Sequence, residues 1–248
     1  MSKAINERYD FKQVHDFVPA RLISRWTRQI LDDAENWKPR KSYYTYGRLY
    51  YSDIQSDNIG AYHGDAPKDN ALLDKLPSMR AYVLEAAKHL PSLALLNGGK
   101  PRVLSRRETT KTSCWCDYGI HIYTPLQNSS VGAHVDFELF APYPEKMLNR
   151  DTICYSMTLA IACPASGGGL IIWPRQKVWA NMTPEQWPEA LWEDKQELGY
   201  SPGTLSLFNS FCMHQVEPCQ ISRKAPWRIT LLTHFLYRPE LGCWEYWS

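Results

Sequence analysis

The chain has no apolar run near the roughly 20 residues that a membrane span requires. Its first residues, Met1-Ser2-Lys3-Ala4-Ile5-Asn6-Glu7, lack the apolar core of a signal peptide. A cytoplasmic protein with no membrane partner is expected. Charge of one sign is also lacking, since 28 Lys and Arg stand against 26 Asp and Glu, a formal net charge of +2. So neutral a chain carries no electrostatic footprint for a phosphate backbone, which excludes nucleic acid as the expected partner. There is no internal repeat, no low-complexity tract and no HExxH helix of the kind that builds zinc proteases.

Paired cysteines are missing too. The count is seven, an odd number, in a chain long enough to stabilise itself without crosslinks, so free thiols in a reducing compartment are expected. Cys114-Trp115-Cys116 is CxC rather than CxxC, and no second pair stands at zinc-finger distance. These two read as half-buried strand thiols.

What is present divides near residue 100. The whole chain, 1–248, reads as one domain, with 1–100 as a helical and loop-rich support. Val18, Leu22, Trp26 and Ile30 recur at helical steps before the Asn36-Trp37-Lys38-Pro39 break. A second helix is predicted to open at Pro77 and bury Met79, Val83, Ala86 and Leu90. Between them, 43–69 is rich in Tyr, Gly, Asp and Asn and predicts loops, with one short strand near 47–51.

From 101 to 248 the texture becomes β-rich. Strands are predicted at about 102–108, 117–124, 131–138, 152–163, 168–174, 177–181, 203–209, 211–217 and 226–237. Many short strands after a helical portion predict a mainly β protein with helices (α+β), an antiparallel sandwich or barrel. A helical insertion is predicted at about 182–199, because Thr183-Pro184-Glu185-Gln186 has the form of a capping box and Gly199 stands at a C-cap position.

His134-Val135-Asp136 carries the chemistry. On an extended strand alternate side chains share a face, so His134 and Asp136 can grip one ion together. His214, from a neighbouring strand, completes a set of two imidazoles and one carboxylate that occupies one face of an octahedron and leaves the opposite positions open. The plainer alternatives are a hydrogen-bonded surface pair for His134 and Asp136 and a satisfied core histidine for His214.

The motif order runs from HxD to Gly167-Gly168-Gly169 before the apolar Leu170-Ile171-Ile172-Trp173, then Pro202-Gly203-Thr204-Leu205-Ser206-Leu207-Phe208, then His214 and Arg228. This order, over roughly 117–236, resembles the ferrous-iron, 2-oxoglutarate-dependent dioxygenases, in particular those with a prolyl-hydroxylase-like pattern. The Pro142-Tyr143-Pro144-Glu145 segment adds a likeness to the small amino-acid hydroxylases and halogenases. The resemblance implies a double-stranded β-helix (jelly roll, cupin-like) over 101–248, braced by the N-terminal helices. It also implies Fe(II) on His134, Asp136 and His214, with 2-oxoglutarate and O2 as cosubstrates.

Arg228 matches the family's basic residue for the distal carboxylate of 2-oxoglutarate, where a planar fork suits a carboxylate better than a lysine point charge. Thr230, on the same strand face, and Tyr123, eleven residues before His134, are the further cosubstrate candidates. The span from His214 to Arg228 is fourteen residues, longer than the commonest family spacing, so Arg223 in the intervening turn competes for the role.

The implied activity is oxidative decarboxylation of 2-oxoglutarate coupled to hydroxylation of a small molecule, such as an amino acid or natural-product intermediate. Asp136 disfavours chlorination, because related halogenases replace that carboxylate with a small residue. Desaturation and cyclisation stay open, as do, more remotely, a zinc hydrolase and a non-catalytic jelly-roll binding protein. Glu138, His121 and Trp173 are the substrate-contact candidates, with Trp179 and Trp192 as further aromatic walls.

Overall fold

The structure is a computed structural model that describes residues 10–40, 42–54, 59–76, 78–91, 100–124, 132–136, 152–177, 195–220 and 226–248. In chain order the first part contains β1 (Phe11–Val14), α1 (Ala20–Asp32), β2 (Lys38–Pro39), β3 (Tyr44–Tyr46), α2 (Tyr50–Ile54), α3 (Ile59–Leu73) and α4 (Met79–Ala86). Next come β4 (Arg102–Ser105), α5 (Arg106–Thr110), β5 (Gly119–Tyr123), β6 (Cys154–Ala162), β7 (Ser166–Gly167) and β8 (Leu170–Lys177). The chain ends with β9 (Gln196–Leu198), β10 (Leu205–Asn209), β11 (Cys212–Val216), β12 (Cys219–Gln220), β13 (Arg228–Arg238) and β14 (Cys243–Trp247).

Among the described residues the larger sheet has nine strands, in the order β1-β10-β6-β13-β5-β3-β2, with β14 beside the second half of β13 and β4 beside β14. All its pairings are antiparallel except β4 with β14. A smaller antiparallel sheet runs β11-β8-β9, and β7 pairs with β12. No helix among the described residues is long and apolar enough to cross a membrane.

The period of two along the strands separates core from cavity. Tyr155, Met157, Leu159 and Ile161 of β6 and Ile229, Leu231 and Phe235 of β13 join one apolar core with Ile23, Trp26 and Ile30 of α1 and Met79, Val83 and Ala86 of α4. The alternate residues Ser156, Thr158, Arg228, Thr230, Leu232 and His234 line a cavity, to which the smaller sheet contributes Leu170, His214 and Val216. The two sheets thus enclose one hollow. At its edge Gly203 takes φ +91, and a Cβ there would stand 2.7 Å from the Val18 carbonyl oxygen, so only glycine lets α1 enter against β10.

Several expectations need correction. The loops predicted for 43–69 contain α2 and the fifteen-residue α3, which runs through Gly60, Gly64 and Pro67. Tertiary burial of Tyr62, Ala66 and Leu73 outweighs the poor helix propensity of those residues. The short strand lies at Tyr44–Tyr46 rather than 47–51. The strand predicted for 102–108 stops at Ser105, whose side chain forms a capping box with Glu108 and starts α5.

Of 131–138, the described residues make a single bridge, His134 with His214, rather than a ladder. At the end of the expected insertion, Gln196–Leu198 is a strand paired with Leu170–Ile172, so Gly199 caps no helix. The insertion before residue 195 lies outside the described residues. The N-terminal portion is also more than helical support, since β1, β2 and β3 extend the larger sheet.

Candidate functional site

The His134–His214 bridge brings the three candidate ligands together. Each backbone amide donates to the other's carbonyl, at 2.8 and 2.9 Å, and the Asp136 amide donates to the Ser210 carbonyl at 3.2 Å. The two rings lie with centroids 4.3 Å apart. Asp136 Oδ1 is 3.5 Å from His214 Nε2 and 3.8 Å from His134 Nε2. One ligand atom from each of the three residues falls within 4.8 Å of the others, as one ion shared among them requires.

Hydrogen bonds set which nitrogen faces the centre. His134 Nδ1 lies 2.7 Å from the Gly132 carbonyl and His214 Nδ1 lies 3.0 Å from the Cys212 carbonyl. A carbonyl only accepts, so each Nδ1 carries hydrogen and each Nε2 is turned toward Asp136. Burial, and then the charge of His214, push the His134 imidazole down to about 4. Burial opposes a charge on His214 as well, but the Asp136 carboxylate outweighs it and raises that imidazole. Burial would lift Asp136, yet His214 holds it well below the usual carboxylate range. The site is an ionised carboxylate with two imidazoles around it, an N/O donor set suited to a first-row divalent metal.

Behind the carboxylate, Ser156 Oγ donates to Asp136 Oδ2 at 2.5 Å. The same oxygen lies 2.8 Å from Ser210 Oγ and 3.2 Å from His234 Nδ1. In front, Phe208 packs on His214 with ring centroids 4.7 Å apart.

The opposite wall is cationic. In the β5–β13 register Arg228 stands opposite Tyr123 and Thr230 opposite His121. Arg228 is 2% exposed. Its Nε donates to the Gly168 carbonyl at 2.7 Å and an Nη donates to Thr230 Oγ1 at 3.3 Å. Its guanidinium carbon sits 5.1 Å from the Tyr123 ring centroid and 5.7 Å from that of Tyr200. Among the described residues no carboxylate pairs with it, and a buried cation in that condition is stabilised by any anion that enters. His121, pushed down to about 3 by burial and by Arg228, packs against Tyr43 at a centroid distance of 4.6 Å. The cavity joining the two walls has a volume of about 180 Å³.

The structure therefore brings His134, Asp136, His214, Arg228, Thr230, Tyr123 and His121 to one cavity. It does not bring Trp173 there. Strand alternation turns that side chain to the other face of β8, where it is fully buried with Val135 and Met213. Glu138, Trp179, Trp192 and Arg223 lie outside the described residues. Sequence reasoning missed Ser156, Ser210, Tyr43 and Tyr200, and left His234 outside the site. The signal for Ser156 was there: small polar residues alternate with large apolar ones along Cys154-Tyr155-Ser156-Met157-Thr158-Leu159. Tyr43 and Tyr200 carry no comparable pattern.

No family model matches the chain, and no curated protein matches its sequence. Solved structures do. The chain is similar to an N-substituted L-amino acid dioxygenase from Burkholderia ambifaria AMMD, with 16% identity and a TM-score of 0.55 over 96% of this chain and 86% of that one. The same dioxygenase in complex with alpha-KG gives 17% identity, the same TM-score and the same coverage. A Pseudomonas putida prolyl-4-hydroxylase follows at 15% identity and a TM-score of 0.42, over 93% of each chain. The likeness to the Burkholderia dioxygenase is one of fold.

Proposed function

We propose that the protein is a non-haem Fe(II)/2-oxoglutarate-dependent oxygenase that hydroxylates a small molecule, with an amino acid or an amino-acid derivative as the preferred substrate class. One observation carries this reading: a carboxylate and two imidazoles converge in a cavity whose other wall presents a buried guanidinium with no carboxylate partner among the described residues. A metal with an anionic chelator satisfies both walls at once. The fold shared with a dioxygenase of N-substituted amino acids supports the substrate class. In the same reading the two sheets are the halves of a double-stranded β-helix within a single domain, and the enzyme works in the cytoplasm.

The donor set fits ferrous iron, with His134, Asp136 and His214 as its ligands. Arg228, helped by Thr230 and Tyr123, would hold the distal carboxylate of 2-oxoglutarate in a charge-assisted fork. Bound together, iron and 2-oxoglutarate supply oxygen-dependent oxidation coupled to decarboxylation, with succinate and carbon dioxide released. The chain's own part is positional. The Gly132 and Cys212 carbonyls keep the imidazole Nε2 atoms turned inward, the Gly168 carbonyl and the Tyr123 and Tyr200 rings fix the guanidinium, and Phe208 with Leu170 and Val216 gives the hollow an apolar lining.

The test is a screen for substrate-stimulated succinate release across free and N-substituted amino acids and other small metabolites, with product masses recorded. Stimulation accompanied by a gain of one oxygen atom supports hydroxylation. A loss of two hydrogens points to desaturation or ring closure on the same centre. Hydrolysis of a substrate with zinc bound and no need for 2-oxoglutarate would overturn the proposal.

A further inference from the structure

We infer that Ser156 is a positioning residue that holds Asp136 as a single-oxygen metal ligand, within a buried relay completed by Ser210 and His234; this rests on the metal site proposed above. Ser156 Oγ donates its one hydroxyl hydrogen to Asp136 Oδ2, over 2.5 Å. That leaves two lone pairs on the serine oxygen and two neighbours to fill them, Ser210 Oγ at 2.8 Å and His234 Nδ1 at 3.2 Å. Both must then donate. Ser156 then has neither an unused hydrogen nor an unused lone pair, and His234 carries hydrogen on Nδ1.

All three groups are buried: Ser156 is 2% exposed, Ser210 0% and His234 5%. Because each fixes the next, the hydroxyl cannot rotate away at low cost. Ser210 acts twice, since its backbone carbonyl also accepts from the Asp136 amide. With Oδ2 held from behind by Ser156, Oδ1 stands 3.5 Å from His214 Nε2 and 3.8 Å from His134 Nε2. A carboxylate released from this clamp can swing to offer both oxygens and occupy a position that a chelating cosubstrate needs. Outer partners that orient ligands in this way commonly hold about 10- to 100-fold in metal affinity.

The test measures Fe(II) affinity anaerobically, by competition with a chromogenic chelator, in wild type, Ser156→Ala, Ser156→Thr and Ser210→Ala, alongside the thermal midpoint of each metal-free protein. Ser156→Ala is expected to weaken Fe(II) binding about 10- to 100-fold. Ser156→Thr, which keeps the hydroxyl, restores most of it. Ser210→Ala, which removes one donor to the serine but leaves the Asp136 bond in place, gives a smaller loss of the same sign and decides the matter if Ser156→Ala does not fold. Wild-type affinity in both alanine variants, whatever their midpoints, overturns the inference and leaves the triad standing. Failure of wild type itself to bind iron defeats the underlying reading instead.

Discussion

Replacing Arg228 with alanine removes the cationic wall of the cavity and leaves the metal ligands untouched. The guanidinium is 2% exposed, held by the Gly168 carbonyl and Thr230 and flanked by two tyrosine rings, so an anion that reaches it meets an immobilised, desolvated partner. Truncating one member of such a pair costs about 2–5 kcal/mol. At about 1.4 kcal/mol per tenfold, this predicts a Kd for 2-oxoglutarate raised roughly 30- to 4000-fold. A thermal shift reads the same effect. Ligand at 100 times the wild-type Kd stabilises by about 2.7 kcal/mol. In a chain of this size that is a rise of about 5–10 °C.

Arg228→Ala should rise by no more than about 2–4 °C at that concentration, the residue left by a roughly 30-fold loss, and by nothing measurable if the loss is larger. Arg228→Lys should recover only part of the affinity, for want of the planar fork. Wild-type affinity in Arg228→Ala, or a large loss in Arg223→Ala instead, would refute the reasoning.

Three further outcomes are expected. With excess chloride the wild-type product should carry oxygen or lack hydrogen but contain no chlorine, because in the proposed site Asp136 would fill the coordination position a halide needs; a chlorinated main product by mass spectrometry contradicts this. Below pH 6.5 the unfolded chain protonates His121 and His234, whereas burial holds them neutral in the fold down to about 3 and about 4. Metal-free stability should therefore fall from pH 6.5 toward 4, by up to about 1.4 kcal/mol per pH unit for each group. His214, raised in the fold, contributes stability that is complete below its ordinary value and lost only as pH rises through its folded one, so it does not offset this fall. Equal urea midpoints at pH 6.5 and pH 4.5 would disprove the burial argument. Finally, Gly203→Ala should destabilise by roughly 1–3 kcal/mol from backbone strain alone, before the contact with the Val18 carbonyl is added; an unchanged thermal midpoint would mean that the turn relaxes freely.

The part of the site that was legible lay where local spacing reports on a strand face. Arg228 and Thr230 share a face of β13 through the period of two; the same spacing singled out His134 and Asp136, which the structure brings together through the single His134–His214 bridge rather than a ladder. The partners of these residues were less legible, because they arrive through long-range pairing. Ser210 meets Asp136 across a gap of more than seventy residues, and Tyr43 reaches His121 from the N-terminal portion.

Ser156 was readable in principle from the alternation along β6. So was β14, where Trp244 and Tyr246 face the main core while Cys243, Glu245 and Trp247 alternate with them. Helix α3 was hidden by its glycines and proline, whose propensity is overridden by burial that no local window reveals. Trp173 misled because an aromatic next to an apolar strand looks like a pocket wall until the strand's parity is set by its pairing with Met213.

The central claim is that one metal and one 2-oxoglutarate occupy this cavity together. Anaerobic titration of the metal-free protein with ferrous iron, before and after adding 2-oxoglutarate, tests it most directly. A weak visible metal-to-ligand band is predicted only with both present, saturating at one iron per chain and lost in His134→Ala, Asp136→Ala and His214→Ala proteins that remain folded. A band of wild-type intensity in folded His214→Ala, or none in wild type, would contradict it.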